Sequence, residues 1–159
     1  MKKSNSQTNL PGDSNLFQEI RELILSARMA VAKSIDSVQV MTCFEIGRRI
    51  VEHKQKGSER AEYGKQIVIE LSRNLIREFG RGFSQSNLEY MRKFYLVYRN
   101  RLSEKSQTAT GKFLELSQIS QTQFMQFNNN FRLSWSHYVF LITIKDKNTR
   151  DFYEIEAVS

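Results

Sequence analysis

The sequence has little of what breaks a helix or anchors a covalent framework. Its 159 residues include one proline, seven glycines, one cysteine and two histidines. So few breakers in a chain this long favour long helices over a turn-rich β fold. The lone cysteine, Cys43, builds neither a disulfide framework nor a cysteine-based zinc site. No long apolar run occurs, since Tyr138 to Ile144 is far too short to span a bilayer, and no secretory signal opens the chain. The expectation is a cytoplasmic protein with no membrane partner. HExxH, paired CxxC, Walker-type and GxSxG motifs are all missing. No catalytic residue, metal or cofactor is therefore expected, and the chain is not read as an enzyme.

What is present is apolar material for a core, at 40% of residues, and a concentrated charge. The net charge is +7, and residues 48 to 101 carry all of it, with 13 basic against 6 acidic side chains. The other 105 residues hold 11 of each sign. A basic excess confined to one segment suits a phosphate-backbone partner, because releasing counterions from nucleic acid drives binding. A solvated basic face with no partner has the same composition.

Read for organisation, the chain divides into a polar tail at 1–12, a helical domain at 13–102, a polar variable linker at 103–130 and C-terminal helices at 131–159 that pack on the domain. Leu16, Ile20, Leu23, Ala27 and Ala30 stand at steps of three and four, which predicts an amphipathic helix from about Asp13 to Lys33. A second helix is predicted from Ile35 to about Lys54, apolar around most of its circumference, with Gly47 allowing a close helix crossing and Glu45 placed to support Arg49. A polar loop follows at 55–62. The third helix, Tyr63 to Phe79, ends at Gly80, where a left-handed cap belongs. Ser84 is a good N-cap for a fourth, whose buried stripe is Leu88, Met91, Phe94 (or Tyr95) and Tyr98. Weak helix is expected at Phe113 to Phe127. Order resumes at Phe131, with Ser134 capping a short apolar helix and a last one starting at Asn148. The fold class is all-α, a helical bundle containing a helix-turn-helix-like unit.

That unit, Tyr63 to Arg101, carries the functional reading. Helix, short glycine-containing turn and capped helix is the sequence form of a helix-turn-helix, whose second helix enters the major groove. An ordinary αα-hairpin has the same form, but here the motif coincides with the basic segment. With Leu88, Met91 and Phe94 inward, Gln85, Ser86, Glu89, Arg92 and Lys93 remain on the outer face. Gln suits adenine, Arg and Lys suit guanine or phosphate, and an acid can accept from cytosine. Ser84 and the first amides of the helix can receive a phosphate. Lys65 and Arg81 are placed over the backbone, and Arg48 and Arg49, with Lys54 and Lys56, add phosphate contacts if the second helix flanks the same surface. Phe94, Tyr95 and Tyr98 have the option of stacking on bases, but at helical spacing they are read as core, as are Trp135 and Tyr138. Asp36 with Glu52-His53-Lys54 imitates a metal-nuclease spacing, but that motif belongs on a strand and this run is helical.

Three blocks, Glu45 to Leu75 (EIGRRIVEHKQKGSERAEYGKQIVIELSRNL), Glu78 to Tyr98 (EFGRGFSQSNLEYMRKFYLVY) and Leu133 to Ala157 (LSWSHYVFLITIKDKNTRDFYEIEA), resemble the N-terminal domain of the YhcG family. The resemblance spans about residues 14 to 159, with the Gln/Ser-rich stretch its weakest part. In that family a helical N-terminal domain precedes a PD-(D/E)XK nuclease domain. The resemblance implies a DNA-binding part whose nuclease metal site lies downstream, so no metal ligand is carried over. The expected role is a DNA-binding module that positions DNA for a nuclease domain in cis or in trans. The alternative is a protein-interaction and dimerisation module of a nuclease or restriction-type complex, with a homodimer among its partners.

Overall fold

A computed structural model describes residues 11–56, 61–102 and 121–159. Most of the expected tail, residues 57–60 of the expected polar loop, and 103–120 of the expected linker with the start of its weak helix lie outside them. Every regular element among the described residues is helical, so the fold is all-α as expected. The helices are α1 (Pro11–Lys56), α2 (Ala61–Phe79), α3 (Gln85–Tyr98), α4 (Gln121–Asn130), α5 (Trp135–Leu141) and α6 (Lys147–Val158), with short 3₁₀ turns at Arg81–Phe83 and Arg99–Arg101. The chain divides into two compact units, Met1–Ile35 and Asp36–Ser159, and α1 contributes residues to both.

The expected boundary between two helices at Lys33–Ile35 is absent, and α1 runs through it. No glycine or proline interrupts the backbone there. The Ser34 hydroxyl donates back to the Ala30 carbonyl at 2.9 Å instead of capping a new helix. The last helix also starts earlier than expected. Asp146, not Asn148, is its N-cap, accepting from the Thr149 amide and hydroxyl, both at 2.7 Å. Those bonds outweigh the opposing effect of desolvation and hold the Asp146 carboxyl below its ordinary pKa.

The core of the second unit is aromatic. Phe94, fully buried on α3, meets Phe44, Tyr98, Phe131, Trp135 and Tyr138 with ring centroids 5.0 to 5.9 Å apart, mostly edge to face. These rings are core and are not open for stacking on bases. Val40, Met41 and Cys43 of α1 are buried in the same cluster, which accounts for the broad apolar coverage seen in that stretch of sequence. Burial pushes the Cys43 thiol up to about 12, so it is inert at neutral pH. Within the polar stretch, Phe127 is buried, and Asn128 accepts a hydrogen bond of 2.7 Å from Ser37. Gly47 is buried where α1 meets α3. A β-carbon there would lie 2.6 Å from the Met91 carbonyl carbon and closer still to its oxygen, so only glycine fits the crossing. The expected close approach at Gly47 is real.

One buried acid joins four segments. Glu154 of α6 takes both Nη atoms of Arg101 at 2.6 and 2.9 Å and the hydroxyls of Tyr98 and Tyr138 at 3.3 and 3.4 Å. Arg101 also donates to the Asn130 carbonyl at 3.1 Å and lies 4.4 Å over the Tyr98 ring. Burial first, and then the Glu154 charge, push both phenols far above their ordinary pKa, so they stay protonated donors.

Candidate nucleic-acid interface

The turn between α2 and α3 is built residue by residue. The Gly80 amide donates to the Ile76 carbonyl at 3.0 Å and closes α2. Gly80 has φ 94° and ψ −167°. The sign of φ is the one its glycine predicts, but ψ lies outside the left-handed helical well, because the chain must extend into the 3₁₀ turn. That region is essentially reserved for glycine. Ser72 of α2 then donates to the Phe83 carbonyl at 2.9 Å and ties the turn back to the helix before it. Ser84 caps α3 as expected, its hydroxyl accepting from the Asn87 amide at 3.2 Å. The Asn87 side chain is used twice: its nitrogen donates to the Gly82 carbonyl, and its oxygen accepts from the Trp135 indole at 3.0 Å. Leu88, Met91, Phe94 and Tyr98 are the buried face of α3, the stripe read from their spacing.

The opposite face opens on a cavity of about 640 Å³ between the end of α1, the start of α2 and the first turns of α3. Its walls are Lys54, Lys65, Gln85, Ser86, Glu89, Tyr90 and Arg92, and Val68 and Ile69 add apolar surface. Five of the expected site residues, Lys65, Gln85, Ser86, Glu89 and Arg92, therefore converge on one concavity, and Lys54 joins them from α1. Three cations against one acid leave it positive. Glu89 accepts from Arg92 at 2.6 Å and from Lys54 at 3.5 Å. Burial alone would raise its pKa. The Arg92 hydrogen bond and charge, with Lys54 behind them, outweigh that and hold the carboxyl below its ordinary value.

The other expected residues stand apart from the cavity. Arg81, in the turn, and Lys93, on α3, are exposed and do not line it. Ser84 spends its hydroxyl on the cap. The Arg48 guanidinium is forked onto Glu45 and also held by Glu52, and the Glu45 bonds raise its pKa further against the opposing effect of burial. Arg49 bonds to the same Glu45 at 2.9 Å, the expected i,i+4 pair. Both arginines thus have their charge partly balanced within α1. Tyr90 and the apolar pair Val68 and Ile69 were not foreseen. Tyr90 follows Glu89 on a helix whose inner face was already read, so its outward placement was available from the same spacing. Among the described residues no group of histidine, cysteine and acidic side chains is placed to hold a metal ion, and no helix is long and apolar enough to cross a membrane.

The chain is similar to the Escherichia coli (strain K12) protein named "Putative nuclease YhcG", at 36% identity over 166 residues that cover 98% of this chain. The match spans 44% of that relative, less than half its length. No solved structure matches the chain. The family model for the DUF1016 N-terminal domain matches residues 19–159, a span that contains α2, the turn, α3 and the cavity they form, and the chain belongs to that family.

Proposed function

We propose that the chain is a DNA-binding helical module of a YhcG-like nuclease, positioning duplex DNA for a nuclease domain in cis or in trans. In this reading α2, the turn and α3 act as a helix-turn-helix-like unit, and residues 131–159 pack on the domain that carries it. The observation that carries the reading is the cavity on the outer face of α3, where Lys54, Lys65 and Arg92 surround Gln85 and Ser86. That set combines phosphate-seeking charge with side chains suited to base edges at the start of a capped helix. Arg81, in the turn, and Lys93, farther along α3, are exposed and add to the positive charge of this unit. A nuclease relative supplies a function for DNA held in this way.

The test is fluorescence anisotropy of labelled duplex DNA across a salt series. Replacing Lys65, Gln85 and Arg92 together with alanine should weaken binding and lower the slope of log K against log salt by about two, one for each cation removed. A folded triple variant with unchanged affinity and slope overturns the site. A wild-type chain that binds no duplex at about 50 mM salt, where electrostatic contacts are still strong, overturns the function.

A further inference from the structure

We propose that two copies of this chain pair through residues 16–34 of α1 as an antiparallel two-helix dimer. The motive lies in the first unit, where large apolar side chains face solvent. Leu16 is 56% exposed, Phe17 63%, Ile20 48%, Leu23 69% and Val31 61%. Among the described residues, the buried core cluster takes its members of α1 from Val40 onward.

The spacing says what kind of surface covers them. Positions 16, 20, 23, 27, 30 and 34 follow steps of four and three, a seven-residue repeat that keeps one seam facing a partner helix. The sizes along that seam are graded. Leu16, Ile20 and Leu23 are large, while Ala27, Ala30 and Ser34 are small. A parallel pair sets small on small through half the seam and leaves it unfilled. An antiparallel pair whose two-fold axis passes near Leu25 sets Leu16 over Ser34, Ile20 over Ala30 and Leu23 over Ala27, so every layer joins a large side chain to a small one. The seam is self-complementary, as a two-fold contact must be.

The flanks give the same orientation independently. Phe17, Ile24 and Val31 recur at seven-residue intervals on one side of the seam, and Glu19, Ser26 and Lys33 on the other. Antiparallel pairing brings like flank to like flank, so Phe17 meets Val31 of the opposite copy and the polar flank lies along its own kind. Parallel pairing would set Glu19 and Ser26 against Ile24 and Val31. A lipid surface fits less well. Arg21, Arg28 and Lys33 are nearly balanced by Glu19 and Glu22, so the segment lacks the cationic face such helices carry.

Sedimentation equilibrium of the full chain should show a dimer. Leu23→Glu should weaken it by on the order of a hundredfold, while the melting of the aromatic core stays unchanged. Orientation is read by disulfide trapping, for which buried Cys43 is no competitor. Copies carrying Leu23→Cys mixed with copies carrying Ala27→Cys should cross-link to each other. Leu23→Cys alone should not, because its two thiols are offset along the antiparallel axis beyond disulfide reach. A wild-type chain that stays monomeric to about 100 μM, whatever else then covers the stripe, overturns the proposal, and so does efficient self-cross-linking of Leu23→Cys.

Discussion

Replacing Gly47 with alanine sets two effects of opposite sign against each other. Helix propensity alone favours alanine by about 1 kcal/mol in a helix interior. Packing opposes it. The new methyl would lie 2.6 Å from the Met91 carbonyl carbon and 3.1 Å from the Tyr95 β-carbon. Ordinary carbon contacts are about 3.5 to 4.0 Å, so α3 must retreat by about 1 Å. The obstacle is backbone and cannot rotate away. Leu88, Met91 and Phe94 would retreat with the helix, and a radial gap of that size forfeits about a quarter to a half of each contact's attraction. Overpacking against backbone belongs at the upper end of the usual 1–3 kcal/mol or beyond it. The expected net loss is about 2 kcal/mol, or roughly 4–8 °C in melting temperature for a domain of this size. Urea and thermal melts followed by circular dichroism measure it. Gly64→Ala is the control, since its methyl meets only the flexible end of the Lys54 side chain at 3.3 Å, and it should be neutral or mildly stabilising. If Gly47→Ala melts at or above the wild-type temperature, the α1–α3 crossing does not depend on the glycine and the packing argument fails.

Glu89→Gln removes the one acid of the cavity and releases Arg92 and Lys54. Duplex DNA should bind more tightly, with a salt slope steeper by about one, and weaker binding would mean instead that Glu89 itself accepts from a base. The same ion pairing contributes to acid stability. Because the folded-state pKa of Glu89 is depressed, its stabilisation is fully present above about pH 4.5 and is lost as pH falls through the folded value. The melting difference between wild type and Glu89→Gln should therefore shrink as pH falls below about 4.5, and a constant difference would show that the ion pair is not the cause. Glu154→Gln should cost about 2 kcal/mol or more in urea melts, because Arg101 is left without its carboxylate while two buried phenols lose a charged acceptor. An unchanged midpoint would remove the cluster from the account of stability.

Much of the helical pattern was legible because its signals are local. Leu88, Met91, Phe94 and Tyr98 declare one face of α3 by spacing alone, and Gly80 and Ser84 mark where one helix stops and the next begins. The misreadings occur where two local signals compete. The boundary expected between Lys33 and Ile35 is absent, with the Ser34 hydroxyl bonded back to Ala30, and Asp146 outcompetes Asn148 because Thr149 offers it both an amide and a hydroxyl. What the sequence hides is long-range. Glu154 reads as a surface acid on an exposed helix until Arg101, 53 residues away, is folded against it. Glu89 looks like a liability on a reading face until Lys54, 35 residues upstream, comes beside it. The outward residues of α3 were readable from periodicity, but their convergence with Lys54 and Lys65 depends on how three helices meet.

Trp135 is the only tryptophan in the chain, and its indole nitrogen is bonded to the Asn87 side chain that also holds the turn before α3. The molecule thus carries its own optical reporter at the back of the candidate interface. Any rearrangement that frees Asn87 also strips the indole of its acceptor and changes its surroundings, so emission from a single fluorophore tracks the turn without a label. A ligand that lands on a preformed surface should leave that emission nearly constant through a titration, and one that remodels the turn should move it in step with binding.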